Sequence, residues 1–343
     1  MFRFKDNELI GADIGSSAVK IVQLRKNDGA WTVTAAGVAD IPKTPEDDEN
    51  RKEINTIRAL KECLRLTGTE ARMAVCSVSG PEVAVRSFNF PSLPQEEIEG
   101  AVLLEASQIC PFNINDCAVS YQLISNGKDN SSGILVAATN KLIARKKYYA
   151  EHASLDAVLM DVDGLALLNC FSEIVRPGSD RSTAILNVGN SCANLAIIGK
   201  NSLPFVRDIA CPGSEVAAKL ASERALTTED VKTVSAGDGQ DQAPVELDEV
   251  FQTTFQELVA AVNDTLRYYT TLEKAVIEQI LVCGGLSLVE GFVEWLGRQL
   301  TARTVLWNPA ERMSCQPGSR CHDILNKKGP AMAVAMGLAM RTI

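Results

Sequence analysis

One hairpin is written twice in this chain. The run from Ile10 to Leu24 returns, in weaker form and without a gap, as the run from Ala184 to Ile198, so that Asp13 falls on Asn187, Gly15 on Gly189, Ser17 on Ser191 and Val19 on Ala193. In each copy an apolar run predicts a buried strand, and a Gly-Ser-Ser or Gly-Asn-Ser turn lets the backbone double back with little obstruction from Cβ atoms. The bare N–H groups of such a turn, helped by hydroxyls, form a nest for phosphate oxygens. Gly15, Ser16 and Ser17 in one copy and Gly189, Asn190 and Ser191 in the other are therefore candidate phosphate binders, with Lys20 adding charge. Asp13, two residues before its glycine, and Asn187 in the second copy are candidates to hold the water shell of Mg²⁺. Either copy alone reads first as a plain hairpin. Two copies in one register point to a clamp built by two similar halves.

A third signal lies between Gln279 and Phe292, where an apolar strand runs into Gly284-Gly285 and a helical pattern starts near Leu288, with Val289, Phe292, Val293 and Leu296 at helical spacing. A diglycine there lets backbone approach a planar base, which makes Gly284, Gly285 and Ser287 candidate contacts; a tight turn is the plain alternative. Asp161 and Asp163 end another strand ahead of a helix. Asp163 is a candidate to orient an attacking water, and a cap for the helix beginning at Gly164 is the competing reading.

These motifs, in this order, resemble the phosphate-1, phosphate-2 and adenosine motifs of the actin, heat-shock chaperone and sugar-kinase superfamily. Within it, the chain resembles the PilM family of type IV pilus assembly proteins, relatives of the cell-division protein FtsA. The likeness rests on Gly11 to Lys20, on Phe90 to Ile98 with Ala101, Val102 and Glu105, on Ile109-Cys110-Pro111-Phe112, on Tyr121-Gln122-Leu123 and Leu135 to Thr139, on Met160 to Asp163 with Ala166 and Leu167, and on the diglycine segment. It implies ATP and Mg²⁺ as ligands, a PilN-like membrane protein whose cytoplasmic tail is bound, contacts with other pilus platform components and the assembly ATPase, and a cytoplasmic protein held at the inner membrane through its partners. Self-association is compatible with it. It also implies that a second-half subdomain caps the adenine, which makes Gly213, Glu215 and Lys219 candidate nucleotide contacts. Two departures weigh against turnover. The family's second phosphate loop usually carries Asp where Asn187 stands, and a neutral amide is a poorer partner for Mg²⁺ than a carboxylate. Pro212 removes an N–H from a turn where the family tends to place a diglycine.

The expected fold is an α/β, actin-like (ribonuclease H-like) fold of two halves, with a small α+β insertion in the first and a mostly helical one in the second. The pattern predicts β-β-β-α-β over 1–80, rejoined by 154–181; an inserted β-α-β-β-α unit over 81–153, resembling the family's 1C subdomain; a second half over 182–203 and 279–343; and a helical insertion over 204–278, with a long helix from Asp248 to Val276. The 1C-like unit, with the neighbouring part of the first half, is where the resemblance places the PilN tail. A length of 343 residues with 46% apolar and 22% charged residues suits compact domains. A net charge of −9 without a dense run of Lys and Arg argues against a nucleic-acid surface. No stretch reaches the roughly 18–20 apolar residues of a membrane span, and Met1 to Lys5 precedes a strand rather than an apolar signal core.

Of the 10 cysteines, Cys76, Cys170 and Cys283 sit in apolar runs and read as small core residues. Cys315, Cys321 and His322 share a polar region but lack a close Cys pair or a fourth ligand, which argues against zinc. Met332, Met336 and Met340 read as a core stripe. The scaffold reading competes with a small-molecule kinase on the same fold, which needs a clear base and an acceptor pocket. It competes also with an FtsA-like filament former, which would end in a basic amphipathic helix.

Overall fold

The structure, a computed structural model, describes residues 9–45, 48–127, 130–175, 182–199, 203–215 and 244–342. The first half opens with β1 (Leu9–Ile14), β2 (Ala18–Asn27), β3 (Ala30–Asp40), helix α1 (Glu49–Thr67) and β4 (Met73–Val78). There follow β5 (Val83–Pro91), α2 (Gln95–Ile109), β6 (Cys117–Asn126), β7 (Asn130–Thr139) and α3 (Asn140–His152), then β8 (Asp156–Val162) and α4 (Asp163–Val175). The second half comprises β9 (Ser182–Val188), β10 (Cys192–Ile198), β11 (Phe205–Ala210), α5 (Pro244–Glu273), β12 (Ile277–Cys283), α6 (Phe292–Gln299) and β13 (Arg303–Leu306). The chain ends with β14 (Ser314–Cys315), α7 (Arg320–Lys328) and α8 (Ala333–Ala339).

The strands form three sheets, in the orders β14-β3-β2-β1-β4-β8, β11-β10-β9-β12-β13 and β5-β7-β6. In the first two, an antiparallel hairpin meets a parallel crossover: β1 pairs antiparallel with β2 and parallel with β4, and β9 pairs antiparallel with β10 and parallel with β12. Strands with parallel neighbours are covered on both faces, so β1 is buried continuously from Ile10 to Ile14 rather than on alternate residues, Asp13 included. Its Ile10, Ala12 and Ile14 pack with Leu60 and Cys63 of α1 and Tyr149 and Ala150 of α3. Leu60 is fully buried, a burial contributing about 2 kcal/mol. Helix α1 is bounded by Asp48, whose side chain accepts the N–H of Arg51 at 2.9 Å, and by Gly68 in a left-handed conformation. The second half has an aromatic core in which Phe292 lies 5.4 Å from Phe251 and 5.1 Å from Phe255, ring centre to ring centre, beside Trp295.

The insertion is the sheet β5-β7-β6 with α2 laid across it through Ile98, Val102 and Ala106 on Phe88 and Leu135. Helix α3, grouped with that unit in the sequence reading of 81–153, packs instead on α1, β4 and β8. Its apolar residues Tyr149 and Ala150 join the core of the first sheet, while its first turn, through Leu142, stays packed with Val85, Ile134 and Ala138 of the small sheet. The tail differs too. Residues 279–343 read as one second-half unit, yet β14 pairs with β3, α7 packs on β3, and α8 packs on β1, β2 and α4. The physical reason is that α8 is buried all round, Ala333 to Ala339. Such a helix needs apolar cover on every side, which the space between the halves supplies. Met332, Met336 and Met340 are buried there with Cys170 and Cys283, while Cys76 is buried in the core of the first sheet with α1 and α3.

Helices α4 and α8 touch at backbone distance. A Cβ added at Gly337 would lie 1.8 Å from the carbonyl oxygen of Ala166. Smaller shifts concern element ends: the predicted helix at Leu288 is a 3-10 turn, Gly285–Leu288, with α6 starting only after Gly291, and the long helix spans Pro244–Glu273. Residues 216–243 of the predicted helical insertion lie outside the described residues.

Candidate functional site

The two hairpin turns meet across the halves. Gly15 N–H donates to Ala18 O and Gly189 N–H to Cys192 O, each at 3.1 Å, while Ile41 N–H donates to Ser17 O and Cys211 N–H to Ser191 O at 2.8 and 3.1 Å. The duplication in sequence is thus a duplication of hydrogen bonds. At the tips, Ser16 Oγ lies 2.9 Å from Ser191 Oγ and 3.4 Å from the Asn190 side-chain amide. Ser16, Ser17 and Ser191 are exposed, so hydroxyls from two different sheets face one another at a solvent-open seam.

Behind the tips the two copies diverge. In the first, Asp13 and Lys20 are cross-strand partners and form an ion pair of 3.0 Å, both largely buried. In the second, the matching positions are Asn187 and Asn194, joined by an amide hydrogen bond of 2.7 Å. Asn194 donates onward to Asp208 Oδ1 at 2.8 Å. Burial raises the Asp208 carboxyl above the ordinary aspartate range, against the hydrogen bonds from Asn194 and the Gly80 N–H.

Asp163, at the start of α4, sits with Asp13 and Lys146. Burial and the neighbouring Asp13 push its carboxyl up to about 7, against hydrogen bonds from Ser77 and Ser79 and the charge of Lys146. Asp161, two residues earlier on β8, is aimed elsewhere: it pairs with Arg341 Nε at 2.9 Å. Lys146 of α3 donates to Ile14 O, and burial lowers its ammonium below the ordinary lysine range, against the attraction of Asp163 and Asp13. Sequence reasoning missed this lysine. It stands between Arg145 and Lys147, and only the packing of α3 on β4 and β8 singles it out.

The diglycine closes the site from below. Gly284 has φ +95°, and a Cβ on it would come within 2.5 Å of Val188 O and 2.6 Å of Asn187 Oδ1. The Ser287 hydroxyl is buried and donates to Gly284 O at 2.7 Å, bracing the turn, whereas Gly285 is exposed. Gly213 packs on the second turn, where a Cβ would meet Asn190 Cα and Gly189 O at 2.9 Å, and Ser214 N–H donates to Asn190 O. Glu215 follows at the exposed edge. Lys219 lies outside the described residues. The structure therefore brings Asp13, Gly15, Ser16, Ser17, Lys20, Asp163, Asn187, Gly189, Asn190, Ser191, Gly213 and Gly284 around one seam between the halves.

Cys315 and Cys321 are adjacent, but His322 Nδ1 is taken up with Asn326 at 3.2 Å. Among the described residues, no group of three or more His, Cys, Asp or Glu side chains is placed to hold a metal ion. Among them also, no helix is long and apolar enough to cross a membrane.

The architecture is shared with solved structures. A chain of the PilM-PilN type IV pilus biogenesis complex is 22% identical and superposes with a TM-score of 0.80, over 98% of this chain and 99% of that one. The ethanolamine utilization protein EutJ of Carboxydothermus hydrogenoformans is 13% identical with a TM-score of 0.55, over 96% and 88%. A diol dehydratase-reactivating factor in nucleotide-free form is 10% identical with a TM-score of 0.51, over 96% and 98%. The fold is the two-half, actin-like one, with the small sheet inserted in the first half. The model of the family described as type IV pilus assembly protein PilM matches residues 11–343, both halves and the inserted sheet included, and the chain belongs to that family.

Proposed function

We propose that the chain is an actin-like, ATP-binding scaffold of the type IV pilus assembly platform, which binds the cytoplasmic tail of a PilN-like membrane protein and turns ATP over slowly at most. The observation that carries the nucleotide part is the meeting of Ser16 and Ser191 at 2.9 Å across the seam. Two hydroxyl-tipped turns from separate sheets, with Lys20 and Lys146 behind one of them, form the donor set that a polyphosphate needs. Gly285, exposed and with no atom near its missing Cβ, leaves room at the corner for a base. The residues also suit Mg²⁺ on one side: Asp13 is held by Lys20, and if that lysine turned to phosphate, its carboxylate would serve the ion's water shell. The metal would supply charge neutralisation of the phosphates. On the other side the fit is poorer, because Asn187 spends its amide donor on Asn194 and brings no charge. That supports binding over hydrolysis, and it is why the kinase reading is set aside.

The partner is proposed from the family and from the small sheet. The chain of the pilus biogenesis complex matches this one along nearly its whole length. In the sheet β5-β7-β6 the outer strands are β5, which packs against β11, and β6, with Ile124 of β6 and Leu103 and Leu104 of α2 exposed. A short peptide adding to such an edge gains main-chain hydrogen bonds and side-chain pockets. Through that partner the protein is held at the inner membrane, alongside other platform components and the assembly ATPase.

Calorimetry with ATP, with and without Mg²⁺, and a phosphate-release assay test the first part. Tight binding with slow release is expected, and brisk hydrolysis abolished by Asp13→Ala would overturn the weak-turnover reading. A synthetic peptide from the N-terminal tail of the cognate PilN-like protein tests the second. No binding with or without nucleotide would count against the pilus assignment.

A further inference from the structure

We propose that Cys315 and Cys321 form an oxidisable dithiol, a modification site that closes into an intrachain disulfide when the protein meets a peroxide. The Sγ atoms stand 3.0 Å apart across a loop whose ends are both fixed. At one end, Ser314 and Cys315 are strand-paired with Thr32 and Val33, and the Ser314 hydroxyl meets that of Thr32 at 2.8 Å. At the other, Ser319 caps α7, its Oγ accepting the His322 N–H at 3.3 Å, which sets Cys321 in the first helical turn. Two anchored backbones thus hold the thiols together without a bond between them.

Access is one-sided, as a sensing pair requires. Cys321 is buried, and burial followed by the neighbouring Cys315 raises its thiol above the ordinary range, so it is kept protonated. Cys315 is only half-buried, and Ser314, Gln316, Pro317, Gly318 and Arg320 around it are exposed. Redox-sensing cysteines combine an accessible sulfur with a resolving partner in reach. By contrast Cys170 and Cys283, which also sense one another, are wholly buried.

The chemistry balances with hydrogen peroxide as oxidant. The Cys315 thiolate attacks one peroxide oxygen, the O–O bond breaks, and hydroxide leaves to take up a proton, giving a sulfenic acid. Cys321 sulfur then attacks the Cys315 sulfur, the S–O bond breaks, and water departs with the Cys321 proton. Two thiols and one peroxide give one disulfide and two waters. The bond fastens β14 to the first turn of α7 on the outside of β3, where the chain returns from the second half to the first.

The sequence offers a clean assay. Trypsin cuts after Arg312, Arg320 and Lys327, so Met313–Arg320 and Cys321–Lys327 are separate peptides unless a disulfide joins them. The full-length protein is treated with hydrogen peroxide, denatured in an alkylating reagent, digested, and mapped by mass spectrometry before and after reduction. The expected result is the joined pair, lighter than the two peptides by two hydrogens and separated by dithiothreitol. Cys315→Ser should leave Cys321 alkylated after the same treatment, and thermal melting of that variant in reducing buffer should match the parent, showing that its fold is intact. Overturning results are two: both thiols alkylated under peroxide that fully oxidises added glutathione, or Cys315 driven to sulfinic acid while Cys321 stays alkylated.

Discussion

Asp208 of β11 accepts the backbone N–H of Gly80, in the other half of the molecule, at 2.6 Å. Its second oxygen holds Asn194, and Asn194 holds Asn187, so three hydrogen bonds link the second phosphate turn to the stalk of the inserted sheet. The stalk is itself tied together there: Val83 N–H donates to Gly80 O, and Thr139 donates through both its N–H and its hydroxyl to Glu82. Asp208→Ala leaves a buried amide and a backbone N–H without an acceptor. Each such orphan costs about 1–3 kcal/mol, so a loss of about 2–4 kcal/mol is expected. Urea denaturation measures it, and amide exchange at Gly80 should quicken in the same variant. A loss below about 0.5 kcal/mol would show that the relay contributes nothing to holding the halves.

Gly337→Ala is expected to be among the most damaging single-methyl additions in the chain. The added carbon would meet Ala166 O at 1.8 Å, and that atom is backbone, so α4 and α8 must separate. Gly297 gives the control. It lies within α6, where a Cβ would find Thr304 Cβ at an ordinary 3.5 Å, and alanine there is expected to stabilise by about 0.5 kcal/mol through helix propensity. Melting temperatures of the two variants should move in opposite directions. Equal shifts would contradict the close helix crossing.

Asp163 makes stability depend on pH. A carboxyl whose proton is bound more tightly folded than unfolded contributes stability that is fully present below the ordinary 3.8 and lost as pH climbs through about 7. Asp163→Asn carries no such loss. The variant should therefore gain on the parent between about pH 4.5 and about pH 8, ending about 1–2 kcal/mol ahead once solvent screening of a partly exposed group is allowed for. A difference in melting temperature that stays flat with pH would place this carboxylate outside the pocket.

How much of this could be read from the chain depends on the range of the interaction that fixes each feature. The twin hairpins were legible because turn and strand are set by neighbours in sequence: Gly15 with Ala18 and Gly189 with Cys192 close three residues apart. The inserted sheet was legible for the same reason, its strands alternating between turn signals. Lys146 was not, since nothing local distinguishes it from Arg145 or Lys147; the choice is made when α3 docks on β4 and β8. Nor was Asp208, whose partners are Asn194 on the next strand and Gly80 in the other half. The homing of α7 and α8 onto the first sheet was hidden likewise. A helix apolar on all sides announces that it will be buried, but not between which layers.

Asn187→Asp tests the asymmetry between the copies. As Asn187 stands, its amide donates to Asn194 Oδ1, and Asn194 in turn donates to Asp208. A carboxylate in its place cannot donate, so Asn194 Oδ1 loses its donor, and a second negative charge enters near Asp208, whose carboxyl burial already raises. Without ligand the variant should be less stable, by about 1–2 kcal/mol. With Mg²⁺ and ATP the balance should reverse, because a second carboxylate opposite Asp13 suits a hydrated divalent ion better than an amide does. The expected signature is a larger Mg²⁺-dependent rise in melting temperature with ATP than the parent shows, and a measurable increase in phosphate release. If ATP and Mg²⁺ raise the melting temperature of parent and variant equally, Asn187 does not face the metal, and the weak turnover proposed for this chain must have another origin.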